Sequence, residues 1–298
     1  MKNDIQNIEN LVFKGGGVLG IAYAGAIEIL EQMGVLKLIK RVAGTSAGAI
    51  TACLISLKCT SAEILEIVNS TDFKSFEDHE NVLRVATKYG LYKGDAFLDW
   101  LKPLLVKKGL KADATFADMN QAGFLDLHVF ATCMNRQGVK RLTRFSFADT
   151  PNVIVAEAVR ASMSIPLFFD AWKFTNSIPD NHLYIDGGML YNFPLTTFDT
   201  YGDNKQTLGF FLNNISGQDA VNDLDYNHLI QYTRTLLDIL EDSQNVNFET
   251  DSEEMSRSVI IDNLGISSTN FSLTDENKKA LYESGKKYTL DYINKNAA

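Results

Sequence analysis

Short apolar runs alternate with stretches of helical period along most of the chain. Leu11-Val12-Phe13 is an apolar run that enters Lys14-Gly15-Gly16-Gly17. Ile21 to Met33 then follows a helical pattern, with Gly34 as its C-cap. Val35 to Ala43 reads as a second strand and Ala47 to Leu57 as a second helix. Strand, glycine loop, helix, strand, tight turn, helix is the order of an α/β protein built on a parallel sheet.

Residues 61–120 read as mostly helical. The predicted helices are Ala62 to Val68 and Asp95 to Val106, the second with Phe97, Leu98, Leu101, Leu104 and Leu105 at helical spacing. No chemical motif lies there, so an ordinary structural layer is expected ahead of a cap over a site. Strand character returns at Leu127 to Cys133 and Lys140 to Ser146, followed by a helix from Val153 to Ala161. Leu183 to Ile185 and Thr207 to Leu212 are expected to complete the main sheet. A helix is expected from Asp219 to Leu240, with a polar, acidic stretch from Glu241 to Glu254 behind it. Thr274 caps a last helix opened by Asp275 and Glu276, whose charges suit its positive end, with Leu281, Tyr288 and Tyr292 toward the core. No internal repeat or linker divides the chain, so one domain is expected over residues 1–298. Its core spans about 8–215, with a helical part, about 216–298, packed on it.

Composition narrows the function classes. The 298 residues carry a net charge of −9, which argues against a broad nucleic-acid surface and against adhesion to anionic membranes by bulk charge. Three cysteines, Cys53, Cys59 and Cys133, have no metal-ligand spacing and suit reduced thiols, Cys53 buried. Neither a metal nor another cofactor is implied. The amino end, MKNDIQNIEN, lacks the basic-then-apolar order of a secretory signal, so the mature chain is expected to begin there. Val42 to Leu57 has no charge but falls short of the roughly 20 residues of a membrane span. The expected location is cytoplasmic or peripheral at a membrane surface, with export by an uncleaved route left open.

The chemistry gathers at small residues. GTSAG, Gly44 to Gly48, places Ser46 between residues small enough for a strand to double back into a helix, as a nucleophile elbow requires, although a serine there also fits a helix N-cap. GGGVLG, Gly15 to Gly20, matches the dinucleotide fingerprint G-x-G-x-x-G, but no acidic residue stands about 20 positions on, between Met33 and Val42. The other use of such a loop is to turn bare N–H groups toward a developing oxyanion. Of the four histidines, His79, His128, His182 and His228, only His228 lies late enough for a triad, and it sits in a helical pattern. Asp186 ends an apolar strand before Gly187 and Gly188, and Asn192 and Pro194 fix the loop DGGMLYNFP, so Asp186 is the better base.

Four blocks in order, FKGGGVLG, GTSAG, RASMSIPLFF (Arg160 to Phe169) and DGGMLYNFP, resemble the patatin-like phospholipases. The resemblance implies a three-layer α/β/α fold with a central, mostly parallel sheet. It implies a Ser46–Asp186 dyad without histidine, and an oxyanion hole at Gly15, Gly16, Gly17 and the Ala47 N–H. Gly20, Gly44, Gly48, Gly187 and Gly188 support the motifs, and Ser162 to Pro166 shape the wall of the site. Calcium-independent hydrolysis of phospholipid or lysophospholipid esters through an acyl-enzyme is the implied activity, with membrane or micellar lipid as substrate in peripheral contact. Leu19 stands where many members carry Arg or Lys, which weakens a cationic contact to phospholipid. A neutral-lipid esterase, an acyltransferase, a lipid-binding module of little turnover, and a protein activator all stay open.

Overall fold

The computed structural model describes residues 5–80, 82–215, 217 and 229–297. Strand β1 (Asn10–Phe13) leads through the glycine loop into helix α1 (Ile21–Gln32), and Gly34 at φ 77° ends that segment in the left-handed region. The chain then makes a 3₁₀ turn over Val35–Lys37 before β2 (Arg41–Thr45), so the second strand is shorter and later than its apolar run suggests. Helix α2 (Ala47–Ser56) follows directly. Helices α3 (Ser61–Ser70), α4 (Val82–Lys88), α5 (Asp95–Lys107) and α6 (Phe116–Gln121) come next, with a short strand β3 (Gly90–Tyr92) among them. A capping box at Thr60 and Glu63 opens α3, each side chain bonding the other's backbone N–H.

Strands β4 (Asp126–Cys133) and β5 (Leu142–Phe145) precede α7 (Val155–Ser162), β6 (Leu167–Phe169), β7 (Tyr184–Asp186) and β8 (Thr207–Asn213). Helix α8 (Leu229–Thr250), helix α9 (Ser252–Ser256), strand β9 (Ser258–Asp262) and helix α10 (Asp275–Ala297) follow. The helix expected over 219–240 therefore runs on through Thr250 into the acidic stretch, while its positions 219–228 lie outside the described residues.

The main sheet is ordered β5-β4-β2-β1-β8-β9, with β7 also on β4. The pairs β1–β2, β1–β8, β2–β4 and β8–β9 are parallel, while β5 and β7 run antiparallel to β4. Thr207–Asn213 does not complete the sheet as expected, because β9 pairs along its far side. A separate two-stranded sheet joins β3, which lies inside the stretch read as mostly helical, to β6.

Both faces of the main sheet are covered, as parallel strands require. Leu11, Phe13, Val42, Val129 and Phe210 belong to one large core. Val12, Ala43, Phe130 and Phe211 belong to a smaller one on the other face, with Leu195, Phe198 and Phe248. Cys53, Cys59 and Cys133 are buried free thiols, and burial pushes the Cys53 thiol up to about 12. Among the described residues, no helix is long and apolar enough to cross a membrane.

Helix α10 lies against α1 at glycine-to-backbone contacts. A Cβ on Gly285 would overlap Ala22 O, and one on Gly25 would overlap Tyr282 O, both closer than the 3.0 Å real Cβ atoms keep. Backbone cannot yield as a side chain can, so Gly285→Ala is expected to destabilise the protein by about 2 kcal/mol, overpacking outweighing the gain in helix propensity. Urea unfolding checks this, and an unchanged midpoint would show that the helices separate freely.

Candidate active site

Register places the serine and the aspartate. Along one edge of β4, β2 pairs as far as Thr45 opposite Phe130, and β7 takes over with Asp186 opposite Ala131. Strand β5 occupies the other edge over Val129 to Thr132, so β2 and β7 must share this one. Ser46, the residue after Thr45, and Asp186 are thus brought together at the end of the parallel strands, and both are buried at 6 % exposure.

Ser46 sits at φ 54°, ψ −125°, a strained conformation for a non-glycine residue. Its side chain makes no cap bond to α2, so the N-cap reading of this serine does not hold. The turn closes because Gly44 and Gly48 lack side chains: a Cβ on Gly44 would meet Gly48 O, and one on Gly48 would meet Phe13 O. Gly20, at the start of α1, abuts Ala47. The Ala47 N–H stands in the first turn of α2, where a helix leaves its amides without intrahelical partners and its dipole is positive.

Asp186 Oδ1 accepts the Gly188 N–H at 2.7 Å, and the Asp186 N–H donates to Ser164 O at 2.9 Å. Oδ2 is buried without a hydrogen-bond partner of good geometry among the described residues. Burial raises this carboxyl to about 7 against the lowering effect of the Gly188 N–H and the neighbouring Ser46 hydroxyl, and the Glu241 charge adds slightly to the rise. Gly187 packs under Phe130 O, with no room for a side chain.

The glycine loop divides by role. The Gly15 N–H donates to Asn192 O at 2.9 Å and is therefore not free to face a ligand, a correction to the three-glycine expectation. Gly16 and Gly17 line the cleft, and their N–H groups have no partner among the described residues. Gly17 lies at φ 53° with Ser268 O where its Cβ would be.

Ser46, Asp186, Gly16 and Gly17 open on one cleft, walled by Ile165, Pro166, Met189 and Leu240. Among the described residues, no lysine or arginine lines it. Of the described histidines none does: His79 is exposed, His128 bonds Asp126 at 3.0 Å, and His182 pairs with Asp180. His228 lies outside the described residues. No cluster of three or more His, Cys, Asp or Glu side chains among the described residues could hold a metal ion.

Several positioning contacts escape a motif reading, although Lys14 and Ser162 lie inside blocks already singled out. The Ser162 hydroxyl accepts the Ser46 N–H at 2.9 Å and donates to Phe130 O at 2.6 Å, tying the elbow to β4. Gln244 of α8 donates to Gly188 O at 2.8 Å and accepts the Asn192 N–H at 2.9 Å, gripping the loop after Asp186 at two points. Lys14, buried at 1 % exposure, pairs with Glu241 of the same helix. A serine in a helix and a glutamine in a polar stretch carry no sequence signal for such contacts.

The family model described as Patatin-like phospholipase matches residues 11–199. An uncharacterised protein of Bacillus subtilis, YqhO, is 39 % identical over 197 residues, which are 63 % of this chain and 65 % of YqhO. The triacylglycerol lipase ptl3 of Schizosaccharomyces pombe is 28 % identical over 166 residues, 53 % of this chain and 33 % of the lipase. The chain thus spans less than two thirds of each. The solved structure of VipD from Legionella pneumophila shares the fold, at a TM-score of 0.68 and 17 % identity, over 97 % of this chain and 67 % of VipD.

Proposed function

The chain belongs to the patatin-like phospholipase family, and from that membership we propose that it hydrolyses carboxylic esters of lipids through Ser46 and Asp186. One observation carries the reading: a buried carboxyl with an unengaged oxygen stands beside a serine hydroxyl that caps nothing. Ser46 Oγ attacks the acyl carbonyl carbon while Asp186 Oδ2 takes its proton. The carbonyl oxygen becomes an oxyanion that accepts from the Gly16 and Gly17 N–H groups, with the dipole of α2 adding to the field. Collapse of this intermediate breaks the ester C–O bond, and Asp186 returns the proton to the departing alcohol. Water, deprotonated by the same carboxylate, then releases the fatty acid from Ser46. A carboxyl near 7 is a far stronger base than an exposed one, which suits this task at neutral pH.

The lining favours esters with little negative charge near the carbonyl, since among the described residues Asp186 and Glu241 line the cleft and no lysine or arginine does. A neutral-lipid esterase on the same dyad therefore stands beside the phospholipase reading. Neither needs calcium, because the amides supply the charge stabilisation. Fatty-acid release from triacylglycerol and from phosphatidylcholine vesicles is expected to be unchanged by a chelator, with the triacylglycerol the faster substrate. A fluorophosphonate probe is expected to label the protein and to spare Ser46→Ala. Labelling that survives that substitution, or release that stops on chelation, would reject the mechanism.

A further inference from the structure

Helix α8 is amphipathic the wrong way round. Toward the protein it turns polar groups: Glu241 pairs with Lys14, Gln244 bonds Gly188 O and the Asn192 N–H, and the Glu249 carboxylate accepts from Asn213 Nδ2 at 2.7 Å. Phe248, stacked on Phe211, is buried among them. Toward solvent it turns Tyr232, Leu236, Ile239 and Val246, which follow one another at steps of four, three and seven residues and so share one face over roughly 20 Å of helix. Ile239 and Val246 are 57 % and 58 % exposed. A surface helix ordinarily buries such a stripe, and an apolar face left outward marks a surface that something covers.

Two observations say what covers it. The first is continuity with the serine cleft. Leu240, exposed beside Ile239, belongs to the outward side of α8 and also walls the cleft, while Leu190, exposed in the loop that Gln244 grips, follows Met189 of the same wall. Whatever lies on the stripe therefore lies at the mouth of the cleft. The second is charge. The sequence of α8 sets Arg234 against Asp238, Glu241, Asp242 and Glu249, and the whole chain carries −9. Adhesion to an anionic surface needs the opposite sign, so the face suits an apolar surface without net charge.

We infer that the outward face of α8 docks on a phospholipid surface without net charge, of the phosphatidylcholine kind, with Leu236 and Ile239 sunk to the boundary of headgroup and acyl chain. This rests on the proposed lipid hydrolysis and says from where the ester comes: it passes from the surface along Leu240 into the cleft without crossing water. The Ser46→Ala protein is expected to float with phosphatidylcholine vesicles, and its partition coefficient to fall at least tenfold once Leu236→Ser and Ile239→Ser are added together. Phosphatidylglycerol mixed into the vesicles is expected to weaken the binding. With Ser46 in place, the same two substitutions are expected to leave hydrolysis of nitrophenyl acetate in solution unchanged and to cut fatty-acid release from phosphatidylcholine vesicles at least tenfold.

Vesicle binding that is absent, that the two substitutions leave unmoved, or that grows with phosphatidylglycerol would overturn the docking face. So would a dimer in solution that the same substitutions dissociate, since it would assign the face to a second copy of the chain. Flotation needs no turnover, which separates this inference from the hydrolysis it rests on. A protein that cleaves no ester yet floats in a manner the substitutions weaken would reject the hydrolysis and keep the docking face. One that cleaves nitrophenyl acetate but does not float would do the reverse.

Discussion

Alanine at position 46 is expected to lower ester hydrolysis on the order of ten-thousandfold, leaving only what the amides and substrate binding supply. The loss falls on kcat more than on KM, because the hydroxyl reacts rather than binds. Folding should not suffer, since the Ser46 side chain makes no cap bond and its N–H reaches Ser162 through the backbone. Ser46→Gly sharpens the test. It removes the same nucleophile but frees a residue held at φ 54°, so it is expected to be as inactive as the alanine variant and more stable by roughly 1 kcal/mol. Fatty-acid release and urea unfolding on the same preparations check both halves. Activity retained in either variant would move the nucleophile elsewhere.

Asp186→Asn carries the second large effect, in two directions. Without a base, hydrolysis should fall on the order of a thousandfold, and the unmodified enzyme should gain activity as pH rises through about 7, where Asp186 ionises. Stability runs the other way. An acid whose folded pKa lies above its unfolded value keeps more protons in the folded state, so stability is full below about 4 and is lost as pH rises through about 7. The penalty above that point is roughly 4 kcal/mol, at 1.36 kcal/mol for each pH unit separating the two values. Asparagine can still accept the Gly188 N–H and carries no charge to bury. Asp186→Asn is therefore expected to melt higher than the unmodified protein at pH 8 and alike at pH 4. A flat pH–rate profile between 5 and 9, or equal melting at pH 8, would remove Asp186 from the role of buried base.

The parts of this molecule written in the sequence are those in which small residues are compulsory. Gly44 and Gly48 mark the turn, since each faces a carbonyl oxygen at a distance no Cβ tolerates, and that signature together with Asp186-Gly187-Gly188 pointed to the two residues that the register brings together. Strand β9 escaped because the acidic stretch ahead of it hides how α8 and α9 return the chain to the sheet edge beside β8. The run from Val35 to Ala43 misled because an apolar run does not announce a 3₁₀ turn; Gly34 in the left-handed region redirects it. Gly15, expected among the oxyanion donors, gives its N–H to Asn192, far away in sequence. Ser162 lies in a block read only as shaping the wall of the site, and Gln244 in none, for a hydroxyl or an amide that holds backbone 50 or more residues away leaves no local trace of that contact.

Strand β1, though among the first residues of the chain, lies mid-sheet between β2 and β8, and the loop that follows it is held by Asn192 O at Gly15 and by Ser268 O at Val18. On a ribosome, residues emerge in order. Ser46 emerges well before Asp186, and the contact that holds Val18 forms last, once Ser268 has left the exit tunnel. A shorter nascent chain therefore carries Ser46 without the base proposed for it and without the contact that holds the glycine loop. On the proposed mechanism the site is complete only once the chain as far as Ser268 has been made.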